Sequence, residues 1–392
     1  MSAATLLLLW TVGLAAGSRV KTQHYNRRLP KAELRFGLKL LRELSPAGHT
    51  GGRNTLFSPA GISAAGAGGK SEKQLSNVLG YEKVGLNTRD KVMRAYNQSL
   101  ADFQSPGAAL DIANAALIDE SFSVLDGYKK DLVRTFDAWL CSVDFIDNSN
   151  GVTSEINDWV RAKTNGMIPK MINEDVDSNV LLLLLNAIYF KGSWHYAFDP
   201  SKTKLLPFYD YRSQAHPVET MRSVVKLSHV ALGSLKSQTV ELRYSGGRYS
   251  MIILLPDERL GVSHLRKEVC AEELEKLSKK LRQKHRQKPV EIHLPKFELD
   301  TEYGLVPVLK NLGLTSIFEI NAELWGISAG GAVVVSDVRH AVAVKVSENR
   351  TVASAASKVR KPVKFQADHP FLFFIHEYTK RRVLFIGEVL KL

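Results

Sequence analysis

Cysteine is scarce in this sequence, which has only Cys141 and Cys270 among its 392 residues. Two cysteines are too few for the disulfide framework of a small secreted scaffold, and no Cys-x-x-Cys or Cys/His spacing indicates a zinc site. We therefore expect two buried free thiols, no metal and no cofactor.

Acidic side chains are also in deficit, since 53 Lys and Arg face 40 Asp and Glu, a net charge of +13. A surface of this sign favours anionic partners such as glycosaminoglycan, nucleic acid or an acidic membrane. The hydrophobic content of 44% excludes a disordered chain. No internal repeat or low-complexity linker divides the sequence, so the interleaved helix and strand patterns predict one mixed domain.

Long apolar runs are rare as well. The first, residues 3–16 followed by a small residue at 17, has the form of a signal peptide and predicts a secreted, extracellular protein after removal of residues 1–17. The second, residues 180–190, is too short to span a membrane and predicts a buried strand. In a secreted chain the sequons at Asn97 and Asn349 are candidate glycosylation sites.

Two sequences that resemble catalytic motifs are incomplete. The GISAG pentapeptide centred on Ser328 matches G-x-S-x-G, and Asp337 and His369 follow in the hydrolase order. That motif needs a helix after the serine, but the β-branched residues at 332–338 predict a strand. Residues 64–71 resemble a phosphate loop, yet they begin with alanine instead of glycine and follow no apolar strand. We therefore expect no enzyme.

A basic run occupies residues 275–288. Leu274, Leu277 and Leu281 fall on one helical face, which predicts an amphipathic helix whose leucines dock while its cations face solvent. The cations form either a solvated helix end or a site for sulfated polysaccharide, where closely spaced charges release counterions. We expect no nucleic-acid partner for a secreted protein. The candidate glycosaminoglycan-binding residues are Lys276, Lys279, Lys280, Arg282, Lys284, Arg286 and Lys288.

Nearly the whole chain after the leader resembles the serpin family. The stretches that carry the resemblance include NTLFSPAGIS at 54–63, INDWVRAKTNGMIPKMI at 156–172, LLNAIYFKGSWHYAFDPSKTKLLPF at 184–208 and ADHPFLFFI at 367–375. The last is closer to arthropod extracellular members than to vertebrate ones. The resemblance implies an α+β fold with three β-sheets and eight or nine helices. It also implies a monomer with one domain over 18–392 and an exposed reactive loop at about 348–364.

The family pattern also assigns roles to individual residues. By resemblance, Ser58, Asn186 and His340 form a polar group at the centre of the large sheet, and Trp194 lies at the end where that sheet opens, the breach. In inhibitory serpins an extracellular serine protease cleaves the reactive loop. The first half of the loop then inserts into the large sheet as a strand and carries the protease along.

The loop of this chain departs from that pattern at its hinge, Glu348, Asn349, Arg350 and Thr351. Small residues at 353–357 suit a strand that enters a crowded sheet. Arg350, however, replaces the family's glycine, and a guanidinium carried into a sheet must stay hydrated or paired. A glycan on Asn349 would add bulk at the same place.

Loop length is the second departure. Thr351 and Phe365 are 14 positions apart. Inhibitory relatives use roughly 20 or more, so at about 3.3 Å per extended residue this loop loses on the order of 20 Å of reach. Arg360 is the first candidate for the scissile residue and Lys361, which precedes a proline, is the second. The sequence predicts a non-inhibitory serpin that acts by binding. The alternatives are an inhibitor of trypsin-like proteases with Arg360 as bait, and a carrier with a pocket between sheet and helices.

Overall fold

The computed structural model describes eight α-helices within residues 28–45, 53–58, 67–100, 108–283, 287–328, 330, 333–348 and 362–392. The predicted signal peptide lies outside these residues. None of the helices in the described ranges is long and apolar enough to cross a bilayer. The helices are α1 (28–44), α2 (Gly69–Val78), α3 (Arg89–Leu100), α4 (Asp126–Phe136), α5 (Ser149–Lys163), α6 (Val262–Glu268), α7 (Ala271–Leu281) and α8 (Val306–Asn311).

Fourteen strands accompany these helices in the described residues. They are β1 (Thr55–Phe57), β2 (Ala108–Asp119), β3 (Ala138–Val143), β4 (Leu182–Gly192), β5 (Lys204–Tyr209), β6 (Ala215–Leu232), β7 (Ser237–Arg243), β8 (Tyr249–Pro256), β9 (Gln287–Pro295), β10 (Phe297–Gly304), β11 (Asp337–Val346), β12 (Val363–Gln366), β13 (Phe371–Glu377) and β14 (Arg382–Val389). One sheet has the order β10-β11-β4-β2-β3. The other has the order β1-β14-β13-β8-β7-β6-β9-β12, with β5 also paired to β6.

Three sheets were expected. The five-stranded sheet is one of them, and the other two are joined by the long strand β6 into the nine-stranded sheet. The first part of β6 pairs with β5 and β9, and its last residues pair with β7. Ser228 stands at the junction, opposite Gln287 of β9 and Glu241 of β7. The predicted α+β fold is confirmed, with two of its sheets continuous through this one strand.

The five-stranded sheet is covered on both faces, which explains its apolar sequences. Val152, Ile156 and Val160 of α5 pack on one face, and residues of the other face share hydrophobic clusters with the nine-stranded sheet and with other helices. The run at 180–190 is the buried central strand β4, as predicted. At the end of β4, Gly192 lies so close to Tyr244 that a Cβ atom there would clash with the ring.

Two local expectations need correction. The strand predicted over 332–338 begins only at Asp337. Residues 333–336 are irregular, and Val333 and Val335 are buried in a hydrophobic cluster with residues of several helices. Cys141 and Cys270 are free thiols, but both are half-buried instead of fully buried. Cys141 lies on β3, the last strand of the five-stranded sheet in the described residues, so a described strand pairs with it on one side only.

Candidate functional site

A row of three polar residues crosses the centre of the five-stranded sheet. Asn114 on β2, Asn186 on β4 and His340 on β11 are direct cross-strand partners. The Asn186 amide donates to Asn114 Oδ1 at 2.6 Å, and the Asn114 amide donates to the carbonyl of Phe136 at 2.9 Å. This row therefore links three strands to the end of α4. Asn114 was not predicted as a member of this row, although it interrupts the apolar run IANAALI at 112–118.

His340 is the most deeply buried member of the row. Its side chain is 2% exposed, and its Nε2 accepts a hydrogen bond from the backbone N–H of Ser58 at 3.0 Å. Burial lowers the pKa of His340 to about 4, against the opposing effect of a hydrogen bond with the Asn186 backbone. The imidazole is therefore neutral at physiological pH. Ser58 and Asn186 therefore both lie next to His340, Ser58 through its backbone N–H and Asn186 as the cross-strand partner.

Trp194 lies where β11 ends. Its indole is 2% exposed and stacks on Tyr244 with ring centroids 4.4 Å apart, and its Nε1 donates to the carbonyl of Ser347 at 2.9 Å. Ser347 follows the last residue of β11. The indole therefore fixes the chain immediately before the predicted hinge.

Glu348, the first hinge residue, is held by a polar clasp. Its carboxylate accepts from Thr203 Oγ1 at 2.8 Å and pairs with Lys296 Nζ at 3.4 Å, while Lys296 also pairs with Glu219 at 3.1 Å. Burial raises the pKa of Glu348, but hydrogen bonds from its own backbone N–H and Thr203, with the charge of Lys296, outweigh it and hold the pKa below its usual value. The carboxylate is therefore ionised at neutral pH.

The chain enters the second sheet again at β12. This strand pairs in parallel with β9, its Phe365 is fully buried, and Ala367 N–H donates to the carbonyl of His293 at 2.9 Å. Residues 349–361 lie outside the described part of the chain. They include the hinge residues Asn349, Arg350 and Thr351 and the candidate scissile residues Arg360 and Lys361.

The basic helix is α7, and its predicted orientation is confirmed. Leu274, Leu277 and Leu281 are buried, while Lys276, Lys279 and Lys280 are exposed.

Arg282 differs from the exposed lysines because its guanidinium lies over the Tyr378 ring, 4.3 Å from the centroid, and donates to the Tyr378 carbonyl. Burial lowers the pKa of Arg282, and the charge of Arg381 lowers it further. Lys288 is half-buried on β9, whereas Lys284 and Arg286 fall outside the described residues.

The structure offers no support for a catalytic role at the GISAG motif. Ser328 is 3% exposed and accepts from Gly330 N–H at 3.2 Å, Asp337 pairs with Arg339 at 2.5 Å, and His369 contacts Asp368 and the Pro256 carbonyl. None of these contacts joins Ser328, Asp337 and His369 to one another.

The phosphate-loop resemblance ends at the start of α2. There the Glu323 carboxylate accepts from the backbone N–H of Lys70, so a carboxylate occupies the place a phosphate would need.

The first sequon, which begins at Asn97, lies inside a helix. Asn97 is half-buried in α3, near the C-terminal end of that helix. An asparagine in this setting presents less of its amide to solvent than one in an exposed loop.

Comparisons with known proteins agree with this architecture. The family model described as Serpin (serine protease inhibitor) matches residues 31–392. Iripin-2 from Ixodes ricinus is 38% identical over 93% of this chain and 94% of its own length, and Iripin-5 from the same organism is 35% identical over 93% and 95%. The crystal structure of uncleaved ovalbumin superposes with a TM-score of 0.83 at 26% identity, covering 93% of this chain and all of that one.

The chain therefore belongs to the serpin family, which confirms the resemblance seen in the sequence. Its fold is the serpin fold, with a large five-stranded sheet whose strands β4 and β11 lie side by side.

Proposed function

We propose that this serpin acts by binding and does not trap proteases. The main support is the small number of residues between the end of β11 and the start of β12, both of which are held in place by contacts. Glu348 is held at the end of β11, and Val363 begins β12 opposite Val290 of β9. Only residues 349–362 connect them, and about 14 extended residues span at most roughly 50 Å.

The five-stranded sheet sets the length that an inserted loop must have to carry a protease from one end of the sheet to the other. Strand β4, along which an inserted loop would lie, has 11 residues and is therefore about 36 Å long. By the same measure the ten residues from Thr351 to Arg360 would form about 33 Å of strand, one residue shorter than β4. A protease attached at Arg360 would thus stop before the far end of the sheet, where its active site would keep room to finish hydrolysis.

Arg350 opposes insertion for a separate reason. An inserted strand would pass between β4 and β11, where residues such as Phe190 and Val344 are fully buried. A guanidinium drawn toward this region loses hydration, at a cost of several kcal/mol unless it gains a partner. This cost would arise at the first step of insertion.

The same proposal includes secretion and a polyanionic partner. The exposed Lys276, Lys279 and Lys280 provide adjacent charges for a sulfated glycosaminoglycan, while the docked leucines keep α7 in place. Removal of residues 1–17 and glycosylation at Asn97 or Asn349 would accompany passage through the secretory route.

A trypsin-like protease inhibitor remains the second candidate function. The observation in its favour is the closed large sheet, in which the parallel strands β4 and β11 could separate to admit a strand with small residues at 353–357. A carrier function has weaker support. The apolar cavity beside Asn186 and His340 measures about 90 Å³, well below the roughly 300 Å³ at which small-molecule pockets begin.

Reaction with trypsin separates the first two functions. We expect trypsin to cut the loop of the wild-type protein without forming a complex that survives SDS, and we expect cleavage to leave the melting temperature nearly unchanged. The matched variant combines Arg350→Gly with about six additional small residues in the loop, which restores the missing reach. Cleavage of this variant should raise the melting temperature markedly. A covalent complex formed by the wild-type protein would refute the non-inhibitory function.

Heparin chromatography tests the polyanionic partner. The double variant Lys279→Ala/Lys280→Ala should elute from heparin at lower salt than the wild-type protein, since two exposed charges are lost. The control Lys163→Ala/Lys170→Ala removes the same charge from exposed positions in and after α5. Equal elution of the two double variants would show that total charge, and not the α7 site, controls binding.

A further inference from the structure

A cleft of about 550 Å³ lies between α1, the connection from α2 to α3 and the beginning of α7. Its volume falls within the range of small-molecule sites. The described residues that line it include one carboxylate, Glu272, and four cations. These cations are Arg35, Lys39, Arg42 and Lys83.

Two of the four cations, the half-buried Lys39 and the exposed Lys83, line the same cleft and repel each other. Lys39 is half-buried on α1, and neither it nor Lys83 forms an ion pair within the described residues. Burial lowers the pKa of Lys39, and the charge of Lys83 lowers it further. Among the described residues that line the cleft, the one carboxylate, Glu272, is engaged by Arg35 at 2.6 Å.

Arg42 adds a fixed positive charge at the same cleft. Its guanidinium donates to the carbonyl of Val269 at 2.6 Å, to that of Lys267 at 3.2 Å and to that of Arg266 at 3.3 Å. These carbonyls orient the group but leave its net charge in place. The cleft therefore has a surplus of positive charge, with Arg35, Lys39 and Arg42 on α1 and Lys83 on the connection between α2 and α3.

We propose that this cleft binds a compact phosphate or sulfate group carried by a small organic molecule, with Lys39 and Lys83 as its direct ligands. A doubly charged anion between the two ammonium groups converts their repulsion into attraction. The concave shape suits a compact anion, while the volume leaves room for an attached body against the walls. The proposal goes beyond the binding function above and uses none of the loop residues or candidate glycosaminoglycan residues.

Calorimetry and thermal melting with inorganic phosphate, inorganic sulfate and phenyl phosphate test the site. Each active anion should raise the melting temperature of the wild-type protein, because a ligand of the folded state stabilises it. Phenyl phosphate should bind more tightly than inorganic phosphate if an organic body shares the cleft. Lys39→Met and Lys83→Met should each weaken binding roughly tenfold, and added NaCl should weaken binding in the wild-type protein.

Three further variants separate binding from folding. Lys39→Met should melt at the same temperature as the wild-type protein or higher in anion-free buffer, because it relieves the repulsion by Lys83. Lys39→Arg keeps the charge and should retain binding, and Lys163→Met, at an exposed position on α5, should leave it unchanged. An equal thermal shift in wild type and Lys39→Met would refute the proposal. So would an absence of binding at millimolar anion, or competition only by long heparin chains.

Discussion

Strand β11, which leads into the segment 349–361, and strand β12, which follows it, are anchored in different ways. Strand β11 pairs with a neighbour on each edge and adds polar ties through His340, through Trp194 to Ser347 and through Glu348. Strand β12 is a four-residue edge strand with one neighbour, and its anchor is the fully buried Phe365. The anchorage of β11 therefore adds polar and titratable contacts to pairing on both edges, whereas that of β12 relies on apolar burial.

Removing the aromatic anchor should have the largest effect. We expect Phe365→Ala to lower the free energy of unfolding by about 3–5 kcal/mol, because it empties a fully buried aromatic site. Denaturant unfolding measures this loss. Lys364→Ala, at the exposed neighbouring position, should stay within about 0.5 kcal/mol of wild type. Similar losses for the two variants would mean that burial does not anchor β12.

The polar row should make β11 sensitive to acid. The pKa of His340 is about 4 in the folded protein against an ordinary 6.5, so between these values the unfolded state binds more protons. The contribution of His340 to stability is therefore fully present above pH 6.5 and is lost as the pH drops toward 4, by about 3 kcal/mol in all. His340→Gln should lack this component, so the difference between the two unfolding curves should shrink on acidification. If the stabilities of the wild-type protein and His340→Gln changed with pH in parallel, the prediction that His340 is neutral in the folded protein would be wrong.

Removing the hydrogen bond from the Trp194 indole to Ser347 should have the third largest effect on stability. Trp194→Phe keeps an aromatic ring but removes the donor to the Ser347 carbonyl, and we expect a loss of about 2 kcal/mol from the lost bond and the smaller ring. Limited proteolysis near residue 348 should accelerate more than global unfolding predicts, since the tie lies beside the hinge. Tyr244→Phe is a suitable control, because it removes a hydroxyl from the stacked partner and leaves the indole donor intact.

Replacing the carboxylates of Glu348 and Glu298 by amides should have the smallest effects on stability. Glu348→Gln should cost about 1 kcal/mol, since it weakens the contacts with Thr203 and Lys296. Glu298→Gln removes the exposed partner of Lys345 and should cost less than about 0.5 kcal/mol. Urea unfolding at neutral pH measures both. A larger loss of stability in Glu298→Gln than in Glu348→Gln would contradict the prediction that the contacts of Glu348 contribute more than the exposed pair Glu298–Lys345.

Local periodicity was sufficient to predict several elements of this fold. The spacing of Leu274, Leu277 and Leu281 predicts the buried face of α7, and the apolar run at 180–190 predicts the central strand β4. Both depend on residues close together in the chain. The late start of β11 was not predictable in this way, because Val335 N–H bonds the distant Ile317 carbonyl and Ser336 N–H bonds that of Leu182.

Side-chain partners in the candidate site were only partly accessible to sequence reasoning. Family resemblance located Ser58, Asn186 and His340, but the amide chain through Asn114 depends on the register of two strands. The inward orientation of Arg282 likewise depends on Tyr378, which is 96 residues away in the sequence. Long-range register and ring contacts of this kind have no local sequence pattern.

The shared strand β6 has a consequence for how the molecule opens. Because Ser228 faces both β7 and β9, the amides of β12 and β9 are joined by one continuous backbone ladder to those of β8 and β13. In hydrogen–deuterium exchange these amides should lose protection together, as one cooperative unit. A partner that binds next to β12 would then change amide exchange as far as β1, at the opposite end of the same sheet.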